Sequence, residues 1–297
     1  MDLSILDFGY TGAAVDLMTE ADRLGYRRYW LGEHHGGWQC ANPLLLGALL
    51  AATSGGIRLG SGGVCLGYHS AYRIAEDARL IEFMLPGRFD LGVTRGLTLR
   101  PEVRDALLDG CVAAPSRSHY EKLADLHGFL TGRLPDEHPL RGQQLHLEPG
   151  PPMWVLGASV DAARWAASQG TGFCFSLHHA PAGLDGPGIV AEYRRRFLPS
   201  PEFPAPAGIV VASMACGASS SEARALAQSF DTATAVGTAS ACAAKLAAVA
   251  RRFGVGEVMI LDLLPGVGEE SLERIRALAS QAGLMPRVAA GSLAASA

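Results

Sequence analysis

Charge is what this sequence has least of. Only 18% of its 297 residues are Asp, Glu, Lys or Arg, and the formal net charge is -4. A nucleic-acid binder needs a basic stripe to neutralise phosphates, and anionic lipid attracts polybasic patches, so neither partner is expected. A small neutral or anionic ligand remains. Long apolar runs are missing too: Pro43 to Ala52 falls far short of the about 20 residues of a bilayer crossing. Met1-Asp2-Leu3-Ser4 lacks the basic-then-apolar pattern of a secretory signal. Close cysteine pairs are also absent. Cys40, Cys65, Cys111, Cys174, Cys216 and Cys242 are scattered without zinc-type spacing and read as reduced, mostly buried thiols of a cytoplasmic protein.

What is present is apolar residue in quantity, 48% of the chain, ample for a core. Length admits two modest domains or one large α/β barrel and does not choose between them. The pattern does. Strand-like runs at Leu3–Leu6, Arg28–Leu31, Ile57–Val64, Phe89–Val93, Met153–Leu156, Gly172–Phe175, Ile209–Ala215 and Glu257–Leu261 alternate with helix-period segments. The helices are predicted at Ala13–Leu24, Pro43–Thr53, Tyr72–Met84, Tyr120–Leu130, Val160–Gln169, Val190–Phe197, a broken pair from the capping box at Ser219 to Arg252, and Glu269–Ala279. Asn42 precedes Pro43 as an N-cap, and Gly25 stops the first helix. Arg104–Ser118 reads as an irregular excursion and Gln143–Leu147 as a minor hairpin strand. Eight βα units without a strong linker predict a single (β/α)8 TIM barrel over residues 1–285, with an Ala/Gly/Ser-rich tail over 286–297.

Barrels of this kind build their active sites at the C-terminal ends of the strands. That rule gives several motifs one address. Glu33-His34-His35 ends the second strand, where a carboxylate and two imidazoles that titrate near neutrality reach the rim. Neighbouring side chains on extended backbone face opposite ways, so only one of the two histidines can enter a given pocket. Gly62-Gly63 sits at the third strand, Thr94-Arg95 after the fourth, Ser159 after the fifth and His178-His179 after the sixth. Metal ligation, surface clusters, a tight barrel corner at the glycines, a wall ion pair at Arg95 and a plain helix cap at Ser159 are the competing readings. Two His pairs without an accompanying Asp or Glu motif support a metal weakly, and none is expected.

Several motifs together resemble the bacterial-luciferase-like flavin monooxygenase family. They are Gly25-Tyr26-Arg27-Arg28-Tyr29-Trp30-Leu31-Gly32-Glu33-His34-His35, Ile57-Arg58-Leu59-Gly60-Ser61-Gly62-Gly63-Val64, Ala75-Glu76-Asp77, Pro86-Gly87-Arg88-Phe89-Asp90-Leu91-Gly92-Val93-Thr94-Arg95-Gly96-Leu97, Leu156-Gly157-Ala158-Ser159 and Val236-Gly237-Thr238. The resemblance covers Ser4 to Leu284. It implies a homodimeric barrel that takes reduced FMN from a separate, transiently bound flavin reductase. Dioxygen is the co-substrate, carried as a flavin 4a-hydroperoxide, and a medium-sized organic metabolite is oxygenated.

Carried onto this chain, the resemblance makes His34 the catalytic imidazole and Glu33 a residue that orients an imidazole, with His35 turned toward the barrel wall. It places a cis peptide at Gly62-Gly63 beneath the flavin ring, phosphate contacts at Arg95 and Ser159, and ring or backbone contacts at Thr94, Leu97, Leu156 and Gly157. Thr94 stands where the luciferase catalytic subunit has a reactive cysteine. His178 and His179 are substrate-side contacts or solvated loop residues. The connection Asp231–Ala235 is short where many relatives carry a lid, which makes light emission doubtful. A flavin-sequestering protein without turnover and a deazaflavin-dependent hydride-transfer enzyme are the alternatives.

Overall fold

A computed structural model describes residues 1–8, 13–37, 39–96, 100–108, 117–142, 150–228, 233–263 and 268–287. The first half of the barrel comprises β1 (Asp2–Asp7), α1 (Ala14–Leu24), β2 (Arg28–Leu31), α2 (Pro43–Thr53), β3 (Arg58–Ser61), the two-residue β4 (Val64–Cys65), α3 (Ala71–Met84) and β5 (Phe89–Thr94). Then come α4 (Pro101–Leu108), α5 (His119–Thr131), β6 (Met153–Gly157), α6 (Val160–Gln169), β7 (Gly172–Ser176), α7 (Gly186–Arg196) and β8 (Gly208–Cys216). The chain continues through α8 (Ser220–Ala227), β9 (Ala235–Gly237), α9 (Ala239–Phe253), β10 (Glu257–Asp262) and α10 (Glu269–Ala282). Strands run in the order β10-β1-β2-β3-β5-β6-β7-β8, and β8 pairs back onto β10. All of these pairings are parallel, so the sheet closes as an eight-stranded (β/α)8 barrel.

Local signals place the helices. Asn42 Oδ1 accepts the Leu45 N–H at 3.0 Å with Pro43 at the first helical position, which starts α2. Reciprocal capping boxes start α5 at Ser118/Glu121 and α8 at Ser219/Glu222. Gly25 ends α1 at φ 88°, where a side chain is doubly excluded because its Cβ would lie 2.1 Å from the Met285 carbonyl oxygen.

Four expectations need correction. The predicted strand Ile57–Val64 is interrupted: β3 stops at Ser61, and Val64–Cys65 pairs separately with Val93 and Thr94. Helices α8 and α9 do not continue one another, because β9 intervenes and pairs with β8; three residues are too few for a visible period. Part of the excursion at Arg104–Ser118 is helical, in α4. Helix α7 begins at Gly186 rather than Val190, since Asp185 caps it by accepting the Gly188 N–H, and Pro187 is tolerated in a first turn. The hairpin strand expected at Gln143–Leu147 lies outside the described residues. Among the described residues no helix is long and apolar enough to cross a membrane.

Two apolar layers flank the strands. The larger joins strands to helices through residues such as Leu3, Tyr29, Leu31, Leu59, Phe89 and Phe173. The smaller fills the barrel with Leu6, Trp30, Trp154, Leu156, Val211, Met259 and Leu261. Below it, at the N-terminal ends of the strands, charges are paired. Arg28 Nε donates to Asp90 at 3.0 Å and Nη1 to Glu257, Arg58 Nε donates to Asp90 at 2.9 Å, and Trp154 Nε1 donates to Asp90 at 3.1 Å. Burial would raise the Asp90 carboxyl, but the Arg58 hydrogen bond and the charges of both arginines hold it below its ordinary value. This closed ionic floor seals one end of the barrel and leaves the other for ligands.

Candidate active site at the barrel mouth

The open end gathers the rim motifs from five consecutive strands, β2, β3, β5, β6 and β7. Alternation along the segment after β2 separates its three titratable residues. Glu33 is buried, and its Oε1 accepts from His35 Nε2 at 2.7 Å and from His69 Nε2 at 2.8 Å, while Oε2 accepts the Cys65 N–H at 2.8 Å. Burial would raise the Glu33 carboxyl, yet the His69 hydrogen bond and charge, with the Cys65 and His35 bonds, hold it below its ordinary value. Glu33 thus orients imidazoles, those of His35 and His69 rather than that of His34.

His34 faces the other way. Its ring meets the edge of Phe8 with centroids 4.2 Å apart, and its buried Nδ1 has no hydrogen-bond partner among the described residues. Burial foremost, then the neighbouring His35, hold His34 below its ordinary value of 6.5, and His179 on the opposite wall acts in the same sense. The ring is therefore neutral at pH 7, able to accept a proton at one nitrogen and donate from the other. The segment Leu177–His179 that follows β7 sets the His178 ring against that of His179, tilted by 42° with centroids 4.0 Å apart. His178 Nδ1 is also buried without a partner, and burial, then His179, lowers its pKa to about 3. Burial lowers His179 as well.

The peptide Gly62-Gly63 is cis. A Cβ on Gly62 would sit 2.8 Å from Leu6 Cδ1 and 2.9 Å from Trp30 Cβ, and one on Gly63 would sit 2.9 Å from the Gly92 oxygen. Close packing on the barrel wall therefore demands two glycines here, and bare backbone results. Thr94, half-buried, ends β5 in register with Cys65. Arg95 follows it, exposed, and none of its side-chain nitrogens has a hydrogen bond or ion pair among the described residues. The wall ion pair that competed for Arg95 is not formed there.

On the adjacent strand, Leu156 turns into the barrel interior and Gly157 ends β6, where a Cβ would meet Ala162 Cβ at 3.2 Å. Ser159 caps α6 by accepting the Ala162 N–H at 3.1 Å, which leaves its O–H free to donate from a helix N-terminus. Leu97 lies outside the described residues.

Two histidines of the site were not singled out from sequence. His69 is joined to Glu33 across 36 residues of chain. His119 opens α5 beside Arg95; burial first, then Arg95 and Lys122, lowers its pKa to about 4, and its buried Nδ1 has no partner among the described residues. The capping box at Ser118-x-x-Glu121 was the available signal for the second, whereas nothing local marks the first. Chemically, the mouth offers a neutral imidazole at one wall, a guanidinium unpaired among the described residues with a helix N-terminus at another, and bare glycine backbone between β2 and β5.

Residues 9–252 match the family described as luciferase-like monooxygenase. The uncharacterized protein YceB of Bacillus subtilis (strain 168) is 36% identical over 222 residues, 73% of this chain and 66% of that protein. From the same organism, N-acetyl-S-alkylcysteine monooxygenase is 36% identical over 190 residues, 59% of this chain and 55% of that one. The chain thus matches less than two thirds of the length of these relatives. The crystal structure of apo-MsnO8 superimposes with a TM-score of 0.80 at 26% identity, covering 96% of this chain and 99% of that one. With the matched region spanning most of the barrel and its rim, this chain belongs to the luciferase-like monooxygenase family.

Proposed function

We propose that this protein is a two-component flavin monooxygenase that uses reduced FMN, delivered by a separate reductase, and dioxygen to oxygenate a medium-sized organic metabolite. The observation that carries the reading is His34: a neutral imidazole at the barrel mouth whose buried Nδ1 lacks a partner among the described residues. A buried polar atom left unsatisfied costs stability, so its retention supports a ligand that completes it. The donor set fits FMN. Arg95 and the Ser159 O–H with the α6 N-terminus suit a phosphate, and the glycine backbone at Gly62-Gly63 admits a flat ring. Thr94, Leu156 and Gly157 line the approach from β5 and β6.

When bound, reduced flavin supplies the two electrons that activate dioxygen. The chain's own residues do the rest. His34 holds or moves a proton at its ring nitrogens, the Glu33 carboxylate fixes His35 and His69 as Nε2–H donors, and His178 and His179 present further ring nitrogens from the opposite wall. Oxygenation of an organic sulfur compound by a relative, N-acetyl-S-alkylcysteine monooxygenase, supports a small-molecule substrate.

Anaerobic titration with reduced FMN tests the cofactor. Tight binding is expected, and preference for a reduced deazaflavin over reduced FMN would replace this reading by hydride transfer. Arg95→Ala is expected to weaken FMN by about tenfold or more while leaving riboflavin nearly unchanged, because in this reading the guanidinium contacts phosphate alone. Equal losses for the two ligands, measured by fluorescence titration, would contradict that role.

The protein is further proposed to act as a homodimer through α2 and α3. Leu45 and Leu49 on one, and Leu80, Phe83 and Met84 on the other, are 51–66% exposed, and the two helices are in contact. Large apolar side chains grouped on adjacent helices mark an association surface. Light scattering should give twice the monomer mass, with Leu49→Glu plus Phe83→Glu shifting it to the monomer. A monomeric parent protein would contradict the proposal.

A further inference from the structure

Away from the mouth, β8 and α9 bring two cysteines together beside a cavity. Cys216 ends β8, is 4% exposed, and lines a cavity of about 790 Å³ together with Glu222, Thr238, Ser240 and Arg274. Cys242 lies fully buried on α9, and its S–H reaches the carbonyl of Ala215, the residue before Cys216, at 3.8 Å. The pairing of β8 with β9 fixes this arrangement. Gly237 is the cross-strand partner of Cys216, and the Cys242 S–H reaches the Gly237 carbonyl at 3.5 Å and the Ala235 carbonyl at 3.6 Å. Both cysteines are free thiols.

We propose that Cys216 and Cys242 form a peroxide-responsive dithiol, with Cys216 the sulfur attacked from the cavity and Cys242 the resolving thiol. In the first step the Cys216 thiolate attacks hydrogen peroxide: an S–O bond forms, the O–O bond breaks, and hydroxide leaves and is protonated to water. The sulfur is oxidised by two electrons and the peroxide reduced by two. In the second step the Cys242 sulfur, giving up its proton, attacks the Cys216 sulfenic acid; an S–S bond forms and a second water departs. One peroxide and two thiols yield one disulfide and two waters. Cys242 Sγ already lies 3.8 Å from the carbonyl of Ala215 and 3.5 Å from that of Gly237, the cross-strand partner of Cys216, so closure to the ~2.05 Å of a bond needs side-chain movement within a fixed backbone pairing.

Access and charge select this pair. Cys216 lines the cavity whereas Cys242 is fully buried; the neighbouring Cys242 thiol holds Cys216 below its ordinary value against burial, and Cys216 with burial pushes Cys242 up. Burial pushes Cys40 up to about 11 and raises Cys174 as well, so those thiols are poorer nucleophiles. The inference is independent of flavin binding, and its test reads sulfur chemistry alone.

The full chain is treated with hydrogen peroxide, alkylated and digested with trypsin. Cys216 and Cys242 fall in separate peptides, 197–224 and 225–245. The expected result is a linked pair of these peptides, formed about tenfold faster than Cys40 or Cys174 is oxidised. In Cys242→Ser, Cys216 should stop at the sulfenic acid and be trapped by dimedone. Cys216 still fully alkylated after peroxide, oxidation of all cysteines at one rate, or linkage of either residue to a different cysteine would each overturn the proposal.

Discussion

Replacing His34 with alanine is expected to lower turnover by about 100-fold or more while flavin binding stays within a few-fold. The separation follows from what the ring touches. Among the described residues its one aromatic contact is the Phe8 edge and its Nδ1 has no partner, so truncation removes little that holds the fold. The backbone N–H of residue 34, which donates to the Cys40 carbonyl at 2.8 Å, survives the substitution. What is lost is a neutral proton carrier at the mouth. Because burial first, and then His35, holds His34 below 6.5, the reactive neutral form dominates at pH 7. Activity should stay level as pH falls toward 6.5 and decline only through the lowered value. Substrate-dependent oxygen uptake with a reductase present measures the loss, and unchanged uptake in His34→Ala would remove the residue from the mechanism.

Arg28→Ala is expected to destabilise the protein by about 3–5 kcal/mol, read as a lower midpoint in urea unfolding. The Arg28 guanidinium lies in the barrel floor between Asp90 and Glu257, both buried, and sits over the Trp154 ring at 5.1 Å. Removing it leaves Glu257 with the solvent-facing Arg27 and Asp90 with Arg58 as remaining cations. Losing one member of a buried ion network costs more than the network contributes net, since the orphaned charge keeps its desolvation cost. Arg28→Lys should fall between, because an ammonium cannot fork to two carboxylates.

The pH dependence has a definite sign. Asp90 is held below its ordinary 3.8, so its contribution is present above that value and lost as pH falls through the lowered one. The gap between parent and Arg28→Ala should therefore narrow in that acid range. A loss below about 1 kcal/mol at pH 7 would mean the floor is wet and its charges are screened.

The barrel is legible in the chain because its signals are local. Asn42-Pro43 starts a helix by capping chemistry that four residues contain, and the strand runs end at residues whose polarity changes abruptly, as at Leu31-Gly32-Glu33. The same locality explains what stayed hidden. His69 and His119 join the mouth through folding, His69 by a hydrogen bond to a carboxylate 36 positions earlier, and no periodicity encodes that contact. Arg28 reads as the first residue of an apolar strand, while its partners Asp90 and Glu257 come from distant strands. Strand β9 is too short to show alternation and exists because β8 offers it an edge. Alternation after β2 separated His34 from His35, and His35 turns inward to the buried Glu33 carboxylate.

The central claim is that the mouth binds reduced FMN and lets it react with dioxygen. The direct measurement is rapid mixing of the anaerobic complex with aerated buffer while the absorption spectrum is recorded. The account predicts a transient spectrum distinct from free oxidised flavin, lost or shortened in His34→Ala. Direct conversion to oxidised flavin at the rate seen without protein would contradict it.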